Sequence, residues 1–122
     1  MRYQLVVRDG FAAAHRLVGS GGRCENLHGH NFKVELKVGG QELGEAGMLI
    51  DFSDLKGILR DVLSSLDHQD LNAHRAFAAG SPSSEMIAEF IFRSVEERIE
   101  GDISVISVTV SESDTASATY SG

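Results

Sequence analysis

The residues with the clearest chemical potential lie in one short segment, residues 24–30. It contains the single cysteine of the chain, Cys24, and two of its five histidines, His28 and His30, on either side of a glycine. Imidazole nitrogens and thiolates are the usual zinc ligands, and a thiolate can also act as a base or nucleophile. The segment therefore indicates a bound metal close to an acid/base group, which points to catalysis and not only to folding.

The two histidines of this segment run into the clearest predicted strand, residues 30–38, where apolar and charged residues alternate. Side chains two apart on an extended segment share a face, so His28 and His30 are predicted to lie on the apolar one. His15 ends another extended stretch and is a candidate third ligand. Three histidines with an open fourth position are typical of catalytic zinc, whereas structural zinc usually has four protein ligands.

Cys24 and three later residues are further candidates. Cys24 has three open interpretations: a small buried residue, a fourth ligand that closes a structural zinc site, or a reactive thiolate. Asp67 directly precedes His68, and an adjacent carboxylate can fix the tautomer of an imidazole and raise its basicity, although a plain loop histidine is equally compatible. Glu112 shares the parity of the apolar residues of the last strand, where an unpaired carboxylate is costly unless the strand end is solvated. A ligand edge with two adjacent N–H groups, such as a pterin, would satisfy both of its oxygens.

The elements that must position these residues follow from periodicity. An amphipathic pattern predicts two helices, and period-2 alternation or β-prone composition predicts the strands. Strands are expected at 2–15 (with a break or bulge near Asp9 and Gly10), 30–38, 48–50 and 103–112. Helices are expected at 53–66, capped by Asp51 or Ser53, and at 82–99, capped by Ser81. A polar tail follows at 113–122. This order predicts an α+β fold: an antiparallel four-stranded sheet with two helices on one face.

Bulk properties restrict the function. The 122 residues fit one domain, residues 1–122, and 42% of them are hydrophobic, enough for a core. A net charge of −7 disfavours nucleic acid as a partner. The chain has no apolar run near the roughly 18 residues of a membrane span and no signal-peptide pattern at its start, so we expect no membrane partner and a cytoplasmic location. One cysteine excludes an intramolecular disulfide.

These motifs together resemble the 6-pyruvoyltetrahydropterin synthase and 6-carboxytetrahydropterin synthase family, which adopts the tunnelling fold (T-fold). The resemblance covers nearly the whole chain and is specific because many motifs occur together. They are Phe11-Ala12-Ala13-Ala14-His15, Cys24-x-x-x-His28-Gly29-His30-Asn31-Phe32, Leu49-Ile50-Asp51-Phe52-Ser53-Asp54-Leu55-Lys56, Leu66-Asp67-His68-Gln69-Asp70-Leu71-Asn72, Pro82-Ser83-Ser84-Glu85, and Glu112-x-x-Thr115-Ala116 with Tyr120.

The resemblance implies a role for each candidate residue. Zn²⁺ would bind to the three histidines, Cys24 would be the general base, and Asp67 with His68 would form a second proton relay. Glu112 would anchor the pterin ring of the family substrate, 7,8-dihydroneopterin triphosphate. The family also implies a homo-oligomer, a hexamer built as a dimer of trimers, in which the sheets form a barrel and the active sites lie between subunits. Candidates for the triphosphate contacts are Arg16, Arg23 and Lys33.

The spacer between Cys24 and His28 selects among the family activities. Three intervening residues resemble the queuosine-pathway enzymes that make 6-carboxy-5,6,7,8-tetrahydropterin, acetaldehyde and triphosphate, whereas pyruvoyl-forming enzymes usually have a longer spacer. Glu25 resembles the glutamate of folate-pathway variants that release 6-hydroxymethyl-7,8-dihydropterin. The spacer makes formation of 6-carboxy-5,6,7,8-tetrahydropterin the leading prediction. Because Glu25 is present beside Cys24, release of 6-hydroxymethyl-7,8-dihydropterin, alone or by a dual enzyme, is an alternative. Formation of 6-pyruvoyltetrahydropterin is a further alternative. The alternative from another class is a non-catalytic zinc- or pterin-binding module.

Overall fold

The fold is a five-stranded sheet with two α-helices packed on one face. The computed structural model describes residues 1–17, 19 and 26–122. Within them the strands are β1 (Tyr3–His15), β2 (His28–Gly40), β3 (Gln69–Asp70), β4 (Ser104–Ser113) and β5 (Ala116–Ser121), and the helices are α1 (Phe52–Ser64) and α2 (Ser84–Arg98). The sheet order is β3-β1-β2-β4-β5, antiparallel throughout except for the short parallel pair of β1 with β3. The predicted α+β architecture is confirmed.

The predicted strand count was wrong, because one predicted strand is not formed and two strands were missed. Residues 48–50 form no strand; instead Leu49 packs against Gly40, and Ile50 covers the edge of the core. The tail at 113–122, for which only a polar composition was noted, contains β5. This strand pairs with β4, and a hydrogen bond of 2.7 Å joins Thr109 to Thr119. β3 has two residues, too few for a periodic signal. The sheet therefore has five strands and not four.

β1 also runs without the break predicted near Asp9 and Gly10. Its register with β2 is continuous from Tyr3 to His15. A Cβ atom on Gly10 would lie 2.8 Å from the carbonyl oxygen of Phe32, so glycine is required there by close backbone approach and not by a bulge. The uninterrupted register matters for function because it aligns the last residues of β1 with the first of β2.

The helices begin where side chains cap them. Asp51 accepts a hydrogen bond of 2.7 Å from the backbone N–H of Ser53 and caps α1. Ser83, and not the predicted Ser81, caps α2 through the N–H of Met86. Alternate residues of β1, β2 and β4 bury their side chains under these helices, and the same face continues toward His15, which is fully buried. Within the described residues, neither helix is long and apolar enough to cross a membrane.

Candidate active site

Three histidines meet where β1 ends and β2 begins. In the antiparallel register His15 lies opposite His28, and Ala13 lies opposite His30. All three imidazoles project from the helix-covered face, as the parity of the sequence predicts. One ligand atom from each histidine lies within 4.8 Å of the other two. The three rings contact each other in T-shaped, edge-to-face arrangements, with centroids 4.5 to 5.3 Å apart.

Backbone carbonyls orient two of these rings. His15 Nδ1 donates to the carbonyl of Pro82 over 2.7 Å, and His28 Nδ1 donates to the carbonyl of Asn26 over 2.7 Å. Each bond fixes the proton on Nδ1, which leaves the Nε2 lone pair free to bind a cation. Within the described part of the chain, the buried Nε2 atoms of His15 and His30 have no hydrogen-bond partner. A metal ion between these converging buried nitrogens would satisfy them.

The chemistry of the site fits a transition metal. Burial lowers the pKa of His15, an effect that the hydrogen bond to Pro82 opposes. His15 is therefore neutral at pH 7, the form that binds a metal. Three imidazoles suit zinc, copper, iron and nickel, and a three-histidine set is known for catalytic zinc. The three histidines predicted as ligands can thus hold a metal ion together.

Glu112 lies beside the histidine cluster, on the face of β4 that the helices cover. The register between β4 and β5 shifts between Ser111 and Ser113, and a bulge of this kind re-aims the side chain at its centre. The Glu112 carboxylate lies 3.5 Å from His15 Nε2 and 4.0 Å from His30 Nε2. One of its oxygens, Oε1, accepts a hydrogen bond of 3.1 Å from the hydroxyl of Ser84. The carboxylate is 30% exposed, so it stands between the cluster and solvent.

Asp67 and His68 form a second group at the edge of the sheet. Asp67 accepts from the backbone N–H of Ala12 over 2.9 Å and lies 3.1 Å from His68 Nδ1. The Ala12 hydrogen bond, helped by the nearby imidazole, lowers the pKa of Asp67. His68 takes a left-handed backbone conformation with φ of 59°, and its ring is 81% exposed. His68 and His30 both line an open cleft of about 530 Å³.

Acidification tests the Asp67 contact. Because the folded state lowers the pKa of Asp67, its ionised form stabilises the fold above the ordinary aspartate pKa of about 4, and that stability is lost as pH falls through the lowered value. We expect Asp67→Asn to have a lower thermal midpoint than the wild type at pH 6. Between pH 6 and pH 3 the thermal midpoint of Asp67→Asn should fall by less than that of the wild type. Asp61→Asn, at an exposed position of α1, is the control. Equal acid sensitivity of wild type and Asp67→Asn would contradict the assignment.

The structure describes some of the remaining predicted residues and not others. Cys24, Glu25 and Arg23 lie outside the described residues, so their roles stay predictions. Arg16 is exposed and its backbone N–H donates to the side chain of Asn72. Lys33 is exposed and pairs with Asp114 over 3.4 Å. The role of Ser84 was missed, because the contact between α2 and β4 that brings it to Glu112 spans 28 residues of sequence.

Comparison with known proteins identifies the family. The family model described as 6-pyruvoyl tetrahydropterin synthase matches residues 4–122. The chain belongs to this family. A 6-carboxy-5,6,7,8-tetrahydropterin synthase from Synechocystis is 40% identical over 115 residues, which cover 90% of this chain and 86% of that protein. A dihydroneopterin monophosphate aldolase from Pyrococcus furiosus is 32% identical, covering 84% of this chain and 83% of that protein.

A solved structure confirms the fold. The 6-pyruvoyl tetrahydropterin synthase of Caenorhabditis elegans superposes with a TM-score of 0.88 at 27% identity, covering 98% of this chain and 95% of that one. The predicted T-fold and the predicted family are therefore confirmed, as is the prediction that the chain is an enzyme, a lyase of the pterin synthase family. The members of this family act on small pterin molecules.

Proposed function

We propose that the protein is a zinc-dependent 6-carboxy-5,6,7,8-tetrahydropterin synthase that acts in the cytoplasm in queuosine biosynthesis. It would convert 7,8-dihydroneopterin triphosphate to the carboxypterin, acetaldehyde and triphosphate. The observation that carries the proposal is the convergence of three imidazoles beside the Glu112 carboxylate, 3.5 Å from the nearest of them. The name of the Synechocystis relative supports the choice of product.

Each described residue of the site has one task in this proposal. His15, His28 and His30 would hold the metal, which would supply Lewis-acid chemistry toward substrate oxygens when bound. Glu112 accepts two N–H groups of the pterin and so fixes the ring relative to the histidines. Asp67 orients His68, whose exposed imidazole exchanges protons with the substrate side chain. Cys24 is assigned as the second acid/base group.

The proposal includes assembly into a homohexamer, a dimer of trimers. Within the described chain β5 is at one edge of the sheet and exposes backbone groups that a neighbouring strand can pair with. The exposed ring of His68 faces a cleft open to solvent, as expected for a group that completes a site shared between subunits. We expect a native mass of about six times the 13.2 kDa chain, measured by native mass spectrometry. A stable monomer with full activity would contradict this assignment.

One sequence feature favours a second product. Glu25 is present beside Cys24, and one relative is named as an aldolase of dihydroneopterin monophosphate. The second candidate is therefore release of 6-hydroxymethyl-7,8-dihydropterin, alone or in addition to the carboxypterin. A glutamate carboxylate in place of a thiolate would serve the same acid/base task from a neighbouring position.

Analysis of the products distinguishes the carboxypterin-forming activity from the hydroxymethylpterin-forming one. Zinc-loaded protein is incubated with 7,8-dihydroneopterin triphosphate, and the pterins are identified by mass spectrometry. We expect 6-carboxytetrahydropterin and acetaldehyde, lost in Cys24→Ala and retained in Glu25→Ala. Hydroxymethyldihydropterin that is lost in Glu25→Ala would move the assignment to the second candidate. Absence of turnover by a folded, zinc-bound wild type would refute both.

A further inference from the structure

The Glu112 carboxylate lies at a distance where it can either bind the substrate or bind the metal. Two ligands bonded at about 2.0–2.2 Å to one tetrahedral zinc are separated from each other by roughly 3.3 Å. Glu112 oxygens lie 3.5 Å and 4.0 Å from two nitrogens of the cluster. A small rotation of the side chain would therefore complete a four-ligand set. A closed set of this kind is typical of structural zinc and leaves no position for a substrate.

The hydroxyl of Ser84 holds the Glu112 carboxylate in its observed position by a hydrogen bond of 3.1 Å. It donates to Oε1 of Glu112, the same oxygen that lies closest to His15 Nε2. Ser84 is buried at the first residue of α2, and the neighbouring Ser83 provides the helix cap, so the Ser84 hydroxyl is free for this contact. A hydrogen bond to an ionised carboxylate is among the stronger ones, at about 1.5–3 kcal/mol.

The segment that leads into α2 contacts both the histidine cluster and Glu112. The carbonyl of Pro82 orients His15, and two residues later the hydroxyl of Ser84 restrains Glu112. Both contacts come from one short backbone segment that α2 holds in place. The separation between the histidine cluster and the carboxylate is therefore fixed by a single element.

We propose that Ser84 is a positioning residue that keeps Glu112 off the metal and reserves the carboxylate for the pterin ring. This inference rests on the proposed function, in which the histidines bind zinc and Glu112 binds substrate. Removing the hydroxyl frees Glu112 to become the fourth ligand. The result is tighter metal binding together with weaker substrate binding, a combination that simple loss of packing would not produce.

Five proteins test the proposal: wild type, Ser84→Ala, Ser84→Thr, Glu112→Gln and the Ser84→Ala/Glu112→Gln double variant. Zinc affinity is measured by competition with a chromophoric chelator, and coordination by the visible spectrum of the cobalt-substituted proteins. Because the hydrogen bond that Ser84→Ala removes is equivalent to roughly a tenfold change in an equilibrium constant, we expect this variant to bind zinc about tenfold more tightly, with a changed cobalt spectrum, and to raise KM about tenfold. The double variant should return to the zinc affinity and spectrum of Glu112→Gln, because an amide is a poor ligand. Ser84→Thr, which keeps the hydroxyl, should resemble the wild type.

The outcomes separate this inference from the proposed function. Unchanged zinc affinity and cobalt spectrum in Ser84→Ala would overturn the role of Ser84 while leaving the metal site in place. A change in Ser84→Ala that persists in the double variant would also overturn it, since Glu112 would not be the ligand responsible. A wild type that binds no zinc at its histidines would overturn both proposals together. Far-ultraviolet circular dichroism of every variant checks that the helix content is unchanged.

Discussion

Replacing His28 by alanine is expected to abolish stoichiometric zinc binding and to lower kcat/KM at least about 10³-fold, equivalent to several kcal/mol of lost transition-state stabilisation. The remaining pair, His15 and His30, provides two nitrogens, too few for a catalytic zinc site. His28 is the best of the three to replace because its side chain is half-buried, whereas His15 is fully buried. Bound zinc is measured by mass spectrometry of metal content, and activity by product formation.

A histidine outside the cluster provides the matched control. His74 packs against Phe77 and Phe90, and its Nδ1 accepts a hydrogen bond from Ala76. His74→Ala should keep full zinc content and activity. Zinc retained in His28→Ala at wild-type affinity would place the metal elsewhere and refute the assignment.

Zinc removal should leave the protein folded. The hydrophobic core lies between α1, α2 and the central strands, and the histidines stand at one end of it. A chelator is therefore expected to remove activity while far-ultraviolet circular dichroism is retained. Loss of the fold with the metal would favour the alternative of a structural zinc module, since such modules unfold without their ion.

The metal cluster was predictable from sequence because strand geometry is strict. Side chains two apart on a strand share a face, so His28 and His30 had to point the same way once β2 was recognised. Burial of His15 followed from its parity with Phe11 and Ala13. The pairing of His15 with His28 needed the register of β1 with β2, which the sequence indicates only through the hydrophobic pattern of both strands.

Contacts between segments that are distant in sequence were harder to predict. Most of β5 consists of small residues that are poor strand formers or neutral, such as Ala116, Ser117 and Ala118. The strand is stabilised by pairing with β4 and by the contact of Tyr120 with Phe92. The contact of Ser84 with Glu112 depends on how α2 packs over β4, and no local pattern encodes it. Residues 18 and 20–25 include Cys24 and Glu25, for which the family resemblance remains the source of the assignment.

Glu112→Gln is expected to lower kcat/KM roughly 10²–10³-fold while zinc content stays at the wild-type level. The carboxylate accepts two N–H groups of the pterin in the proposed complex, and hydrogen bonds to a charged acceptor contribute about 1.5–3 kcal/mol each. Glutamine keeps the size of the side chain but turns one acceptor into an N–H donor. That donor would face a donor of the substrate, so one hydrogen bond is replaced by a repulsive contact.

The loss should appear mainly in binding, which distinguishes recognition from acid/base chemistry. If Glu112 anchors the ring, Glu112→Gln raises KM and the dissociation constant of a pterin product, measured by fluorescence titration. Glu97→Gln, at an exposed position of α2, is the control and should change neither. A fall in kcat with unchanged pterin binding would contradict the anchoring role. Glu112 lies close enough to His15 for that result to assign it to proton transfer near the metal instead.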